Sequence, residues 1–273
     1  MPIFGAVVRQ LAVILCFMLL LSPSLTAGET LHIFADDNAM PKNWLDENGE
    51  PKGINIEVLK EVTERTGIEF TYSFVPWNRA YESARKGLGA IIGLSKTQER
   101  QLIFDYSDPM YFDELVFVTG QDDAFSFAGL ESMRGFTIGV KRGASYGDDF
   151  ELARDLGLVT VLESSDRAGQ MLMLAQGRVD AVLLSPGKIA FASVMASNDW
   201  LTRHQDEFVI VSPAYKLDPN YLGIPKALGK SHLITPINNA LTEIFEDGTH
   251  QGVVERVTES AINAIQSTAS QTN

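Results

Sequence analysis

Cysteine is almost missing from this chain of 273 residues, and its single example, Cys16, sits inside an N-terminal apolar run. With that run removed no disulfide can form, so stability rests on an ordinary hydrophobic core. Histidine is sparse as well. His32, His204, His232 and His250 show no ligand spacing, so neither a metal nor a cofactor is expected. Positive charge is in deficit, with 22 basic residues facing 35 acidic ones for a net charge of −13. That balance argues against nucleic acid and against anionic membrane surfaces, because both demand basic patches. A small anionic ligand stays compatible, since it responds to local rather than net charge.

Charge is also scarce at the N-terminus. Arg9 precedes an apolar stretch over residues 11–21, which breaks at Ser22-Pro23-Ser24 and reaches the small residues Thr26-Ala27-Gly28. A basic start, a short apolar core and a small-residue site describe a secretory signal peptide, residues 1–27, cleaved after Ala27. The run is too short to span a bilayer comfortably. Cys16 is followed by further apolar residues and so does not mark a lipid-modified first residue. Export without disulfides points to a bacterial periplasm.

What is present alternates between strand and helix signals, the grammar of an α/β chain. Residues 30–35 alternate like a first strand, with Asp36, Asp37 and Asn38 at its C-terminal end, where open α/β sheets meet their ligands. Ile56, Leu59 and Val62 then share a helix face closed by Gly67, residues 69–75 read as a second strand, and Pro76-Trp77 opens another helix. The next stretch carries the chemistry. Ala90-Ile91-Ile92 reads as a buried strand, and Ser95 with Gln98 three residues later as a capping box. The first turn of a helix offers unpartnered N–H groups to an anion, and Arg100, about one turn further in, can clamp a carboxylate with two parallel bonds. The residues therefore point to a carboxylate receptor; the plainer alternative is a simple cap beside a solvated arginine.

The second half repeats the pattern. Residues 136–140 form a strand, Lys141-Arg142-Gly143-Ala144-Ser145 a small-residue turn, and residues 148–156 a helix stopped by Gly157. Strands over 159–162 and 179–184 flank a helix over 166–176. Residues 208–212 read as a return crossing. Ile237, Leu241, Ile244 and Phe245 then share the face of a late helix, and the polar segment from Ser267 is expected to fray.

Several ordered segments resemble the amino-acid-type bacterial extracellular solute-binding proteins, family 3: Gly53-Ile54-Asn55-Ile56-Glu57, Val75-Pro76-Trp77, Ser95-Lys96-Thr97-Gln98-Glu99-Arg100, Tyr106-Ser107-Asp108-Pro109, Gly143-Ala144-Ser145, Gly177-Arg178-Val179-Asp180-Ala181 and Glu246-Asp247-Gly248-Thr249. The resemblance implies a two-lobe periplasmic binding protein-like α/β fold of type II, two Rossmann-like lobes joined by two crossing strands. The expected boundaries are 28–119 for the first part of lobe 1, 120–211 for lobe 2, 212–262 for the second part of lobe 1, and 263–273 for a flexible tail. It implies a monomer that binds a small carboxylate-bearing solute, a polar amino acid or close relative, and delivers it to an inner-membrane ABC permease. By the same resemblance Arg100, Ser95 and the Gly93 amide hold the ligand carboxylate, and Gly143, Ala144 and Ser145 close on it from lobe 2.

The sequence departs from that pattern. Ser185 stands where an acid is expected for the ligand ammonium, which leaves Asp36 or Asp37 to supply the charge, or a ligand that is not an ordinary α-amino acid. Trp77 is a candidate flat wall for the pocket. Three other functions fit parts of the chain: a ligand-sensing module for a receptor, a periplasmic dehydratase on the same fold, and a serine hydrolase built on Gly143-Ala144-Ser145-Tyr146-Gly147, which matches G-x-S-x-G. Against the hydrolase, Lys141 and Arg142 separate the strand from the first glycine.

Overall fold

The computed structural model describes residues 28–271; the expected signal peptide, residues 1–27, lies outside the described residues. The strands are β1 (Thr30–Asp36), β2 (Asn38–Ala39), β3 (Asn43–Leu45), β4 (Pro51–Lys52), β5 (Glu69–Val75), β6 (Ala90–Ser95), β7 (Phe104–Tyr106), β8 (Tyr111–Gly120), β9 (Thr137–Lys141), β10 (Thr160–Ser164), β11 (Ala181–Leu184), β12 (Phe208–Ile210) and β13 (Lys216–Pro225). The helices are α1 (Ile54–Thr66), α2 (Trp77–Arg85), α3 (Gln98–Gln101), α4 (Asp148–Asp155), α5 (Arg167–Ala175), α6 (Gly187–Ala196), α7 (Asp199–Arg203), α8 (Ile234–Glu246) and α9 (Thr249–Gln271).

Two α/β lobes follow from how these strands pair. In the first, β5, β1 and β6 run parallel and β13 closes antiparallel on β6. In the second, β10, β9 and β11 run parallel and β11 pairs antiparallel with β8. Parallel strands are covered on both faces, which is why β6 and β11 read as near-continuous apolar runs. Leu31, Ile33, Ile54, Leu59, Leu222, Ile237 and Leu241 fill the core of the first lobe between sheet and helices. The second lobe has two cores, one around Phe117, Ile138 and Phe150 and one around Met171, Val182 and Val194.

Strand β8 belongs to both sheets. Residues 111–115 pair with β13, whereas 116–118 pair with β11 and 118–120 with β12. The passage between lobes therefore falls at Leu115–Val116, a few residues before the boundary expected at 119/120. Leu115 to Thr119 is buried throughout, so no polar break marks the change of lobe. On the return the chain leaves β12 at Ile210 and re-enters the first sheet at Lys216. The segment expected as a tail, residues 263–273, is helical as far as Gln271. Helix α9 packs on α1 and α8 of the first lobe and on α6 of the second.

Candidate functional site

The carboxyl ends of β1, β6, β9 and β11 face one another across the gap between the lobes, the place where strand ends leave backbone and side chains free for a ligand. Asp36 closes β1, Ser95 closes β6, Lys141 closes β9 and Ser185 follows β11. The cavity between them holds four cations, Lys42, Arg100, Lys141 and Arg167, and three carboxylates, Asp36, Asp113 and Asp218. Of the residues expected in the site, Asp36, Trp77, Gly93, Ser95, Arg100, Ala144, Ser145 and Ser185 line this cavity. Gly143 does not line it but bonds two residues that do.

Arg100 is 5 % exposed. Its guanidinium donates to Ser95 O at 3.2 Å and, across the gap, to Gly143 O at 3.1 Å, and it lies 4.8 Å over the Tyr81 ring. Among the described residues its remaining N–H groups meet no acceptor, and a guanidinium fork of this kind can take a carboxylate. The cap of α3 differs from expectation. Thr97, not Ser95, is the N-cap, accepting from the Arg100 amide, while the Ser95 hydroxyl donates to Asp218 Oδ2 at 2.6 Å. Ser95 is still the last residue of β6, paired with Asn220 of β13, and the helix start falls two positions later.

Trp77 stands at the first turn of α2, stacked on Tyr81, and its Nε1 donates to Gly143 O at 2.9 Å. Both lobes thus meet on one carbonyl. Gly143 has φ 71, a left-handed backbone that favours glycine, and a Cβ there would lie 2.8 Å from Asn78 Oδ1, a side-chain end that can turn away. Glycine is needed at Gly53, where φ is 133 and a Cβ would meet Lys42 O at 2.2 Å. That close approach seats Lys42 and Asn43 beside the cavity. Asn43 Nδ2 donates to Asp36 O at 2.6 Å.

Charge pairing spans the cleft. Asp36 is bound to Lys141 of the other lobe, both largely buried, and burial presses the Lys141 ammonium below its ordinary pKa despite that partner. Arg167 donates to Asn38 O of lobe 1 and to Ser185 O of its own lobe. Asp113, on β8, accepts from Lys42 Nζ and from the Ser185 hydroxyl, the latter at 2.7 Å. Ser185 therefore supports an acid instead of being one. Burial pushes the Asp218 carboxyl above its ordinary pKa, outweighing the Ser95 hydroxyl bond that favours the charged form. Asp37, the other acid considered for a ligand ammonium, does not line the cavity.

Sequence reasoning passed over Lys42, Asp113, Arg167 and Asp218. For the two acids a signal was available. Asp113 falls on the same strand face as the buried Leu115 and Phe117, and Asp218 on that of Asn220, Leu222 and Ile224, so each is an acid at an inward position of an alternating strand. Lys42 and Arg167 carry no such periodic mark.

The serine-hydrolase constellation does not assemble. Ser145 Oγ bonds Glu151 Oε1 at 3.3 Å and accepts from the Gly147 amide, while His204, His232 and His250 bond Trp200 O, Glu29 and Met110 O. Arg142 faces solvent beside Glu163.

The profile of the bacterial extracellular solute-binding proteins, family 3, matches residues 31–259. A putative ABC transporter arginine-binding protein 2 of Escherichia coli (strain K12) is 23% identical over 246 residues, 86% of this chain and 93% of that protein. Among solved structures, an ancestral arginine-binding protein bound to arginine is 25% identical with TM-score 0.65, covering 84% of this chain and 98% of that one. A histidine kinase sensor domain similar to periplasmic binding proteins superposes with TM-score 0.70 at 18% identity, covering 84% of this chain and 96% of that one, a likeness of fold. With the profile spanning most of the chain and the two-lobe fold shared with these structures, this protein belongs to the bacterial extracellular solute-binding proteins, family 3.

Proposed function

We propose that this chain is a periplasmic receptor that captures a small carboxylate-bearing solute, a polar amino acid or close relative, and presents it to an inner-membrane ABC permease. The observation that carries the reading is the cleft itself, where four cations face three carboxylates. The resulting excess of positive charge suits an anion in a chain that is otherwise strongly acidic. Arg100 and the turn at Gly143 to Ser145, joined across the gap by the Arg100–Gly143 O bond, are the groups that would grip it, and rotation about the two crossing strands would part them to admit the solute. Among the described residues no helix is long and apolar enough to cross a membrane. The relatives named above as arginine-binding support an amino acid as the first class to try.

A thermal-shift screen of amino and organic acids tests the proposal. A true ligand at 100 times its dissociation constant is expected to add about 2.7 kcal/mol to the stability of the fold. A screen in which no carboxylate shifts the midpoint, while a neutral or purely cationic solute does, would overturn it.

A further inference from the structure

Two of the four cleft cations are already answered by acids, Lys141 by Asp36 and Lys42 by Asp113. The other two are guanidiniums, Arg100 on α3 of the first lobe at 5 % exposed and Arg167 at the start of α5 of the second at 9 %. Arg100 donates to Ser95 O and Gly143 O, and Arg167 to Asn38 O and Ser185 O, so every acceptor they meet is a neutral backbone carbonyl. Among the described residues neither is ion-paired with a carboxylate. Carbonyls satisfy N–H groups but leave the charge unanswered, and an arginine cannot shed its proton to escape the cost of burial. The Tyr81 ring under Arg100 supplies part of what is missing there, whereas Arg167 lies over no ring among the described residues. The third acid, Asp218, is engaged elsewhere: after burial, its carboxyl answers to Ser95, Asp113, Lys42 and Lys216, not to either arginine.

We propose that Arg167 takes a second anionic group of the solute, so that the preferred ligand is a small dicarboxylate held by one guanidinium from each lobe. This rests on the reading of the cleft as a solute site and deepens it by naming the charge the solute carries. Both guanidiniums line one cavity, whose volume of about 70 Å³ is several times the roughly 10–15 Å³ that seats a single water and gives room for a short diacid. Each spends two nitrogens on carbonyls and keeps further N–H donors for a carboxylate oxygen. Like charges on opposite lobes resist closure, and a diacid set between them turns that repulsion into a bridge. A monoacid answers only one of the two and leaves the other cation buried alone.

Titration calorimetry on the intact mature chain tests this with three diacids, succinate, L-aspartate and L-glutamate, their monoamides succinamate, L-asparagine and L-glutamine, and L-arginine as a basic monoacid. The wild type is expected to bind the tightest diacid at least about tenfold more tightly than its monoamide, and Arg167→Gln to bring that pair within about threefold, chiefly by weakening the diacid. A monoamide bound by the wild type as tightly as its diacid, L-arginine bound more tightly than any diacid, or a full preference retained in Arg167→Gln overturns the inference and leaves the single-carboxylate reading standing. A wild type that binds no probe bearing a carboxylate overturns both. Should Arg167→Gln fail to fold, Arg167→Lys keeps the charge and is expected to cut the same ratio, because an ammonium cannot hold Asn38 O, Ser185 O and a carboxylate in one plane. An unaltered ratio there overturns the proposal.

Discussion

Arg100 spends two of its donors on carbonyls, one in each lobe, so its removal takes away both a positive charge and a bond across the cleft. Arg100→Ala is expected to cost on the order of 2–5 kcal/mol of ligand affinity, read by titration calorimetry, as for truncating one side of a buried charged contact. Unchanged affinity would remove it from the site. Asp218 behaves differently. Its carboxyl is raised in the fold, chiefly by burial, so between its ordinary value of 3.8 and the raised value the folded chain holds a proton that the unfolded chain has released. The stability this group contributes is therefore complete below 3.8 and lost as pH rises through the raised value. Asp218→Asn keeps an oxygen for Ser95 and is expected to raise the unfolding midpoint at pH 7, with the gain shrinking on acidification. A lower midpoint at pH 7 would sink this assignment. At this scale the sequence pointed to Ser95, Arg100 and Trp77, which line the cavity, because each sits beside a strand end or helix start with a local signature. It did not show that Asp36 meets Lys141, because nothing local links residues 105 positions apart.

Among elements, the short α3 and the turn before α4 position the groups that meet across the gap. Since Thr97 caps α3, Thr97→Ala is expected to lose about 1 kcal/mol of stability in chemical denaturation, while Ser95→Ala leaves that cap intact. Unchanged stability in Thr97→Ala would remove Thr97 as the cap. Gly143→Ala is expected to cost about 1–2 kcal/mol through its left-handed backbone and, by crowding Asn78, to weaken ligand binding further. Strands such as β1 and β5 and helices such as α1 and α8 were legible, because alternation, apolar faces and a closing glycine all agreed. The small sheet of β2, β3 and β4 was not, since two- and three-residue strands have no period to read. The cap was misplaced for a related reason: two hydroxyls stand two positions apart, and only the pairing of β6 with β13 decides which one ends a strand.

For the whole molecule, the lobes are joined by pairing as well as by chain. Breaking one side of the Asp36–Lys141 pair leaves the other charge to be buried whenever the lobes meet, a penalty of about 3–5 kcal/mol for comparable pairs. Lys141→Met is expected to enlarge the radius of gyration in small-angle scattering, and adding Asp36→Asn to reverse the change. A compact single variant would show the pair to be incidental. The two-lobe plan was legible from repeated strand–turn–helix grammar, but the change of lobe was not, because the middle of β8 is apolar on both sides of it. The tail from residue 263 was expected to be loose on polarity alone, whereas the helix that sends Val253, Val257 and Ala261 into the first core runs on to Gln271.

The strand that exchanges partners at its midpoint also carries Asp113, just ahead of the exchange. Turning one half of the molecule against the other must twist that backbone while its ladders on either side stay knit, so it works as a torsion bar, not a latch. If the cleft takes a solute as proposed, the slowing of deuterium uptake that marks occupancy is expected to be greatest between Asp113 and Thr119, on the strand shared by both sheets.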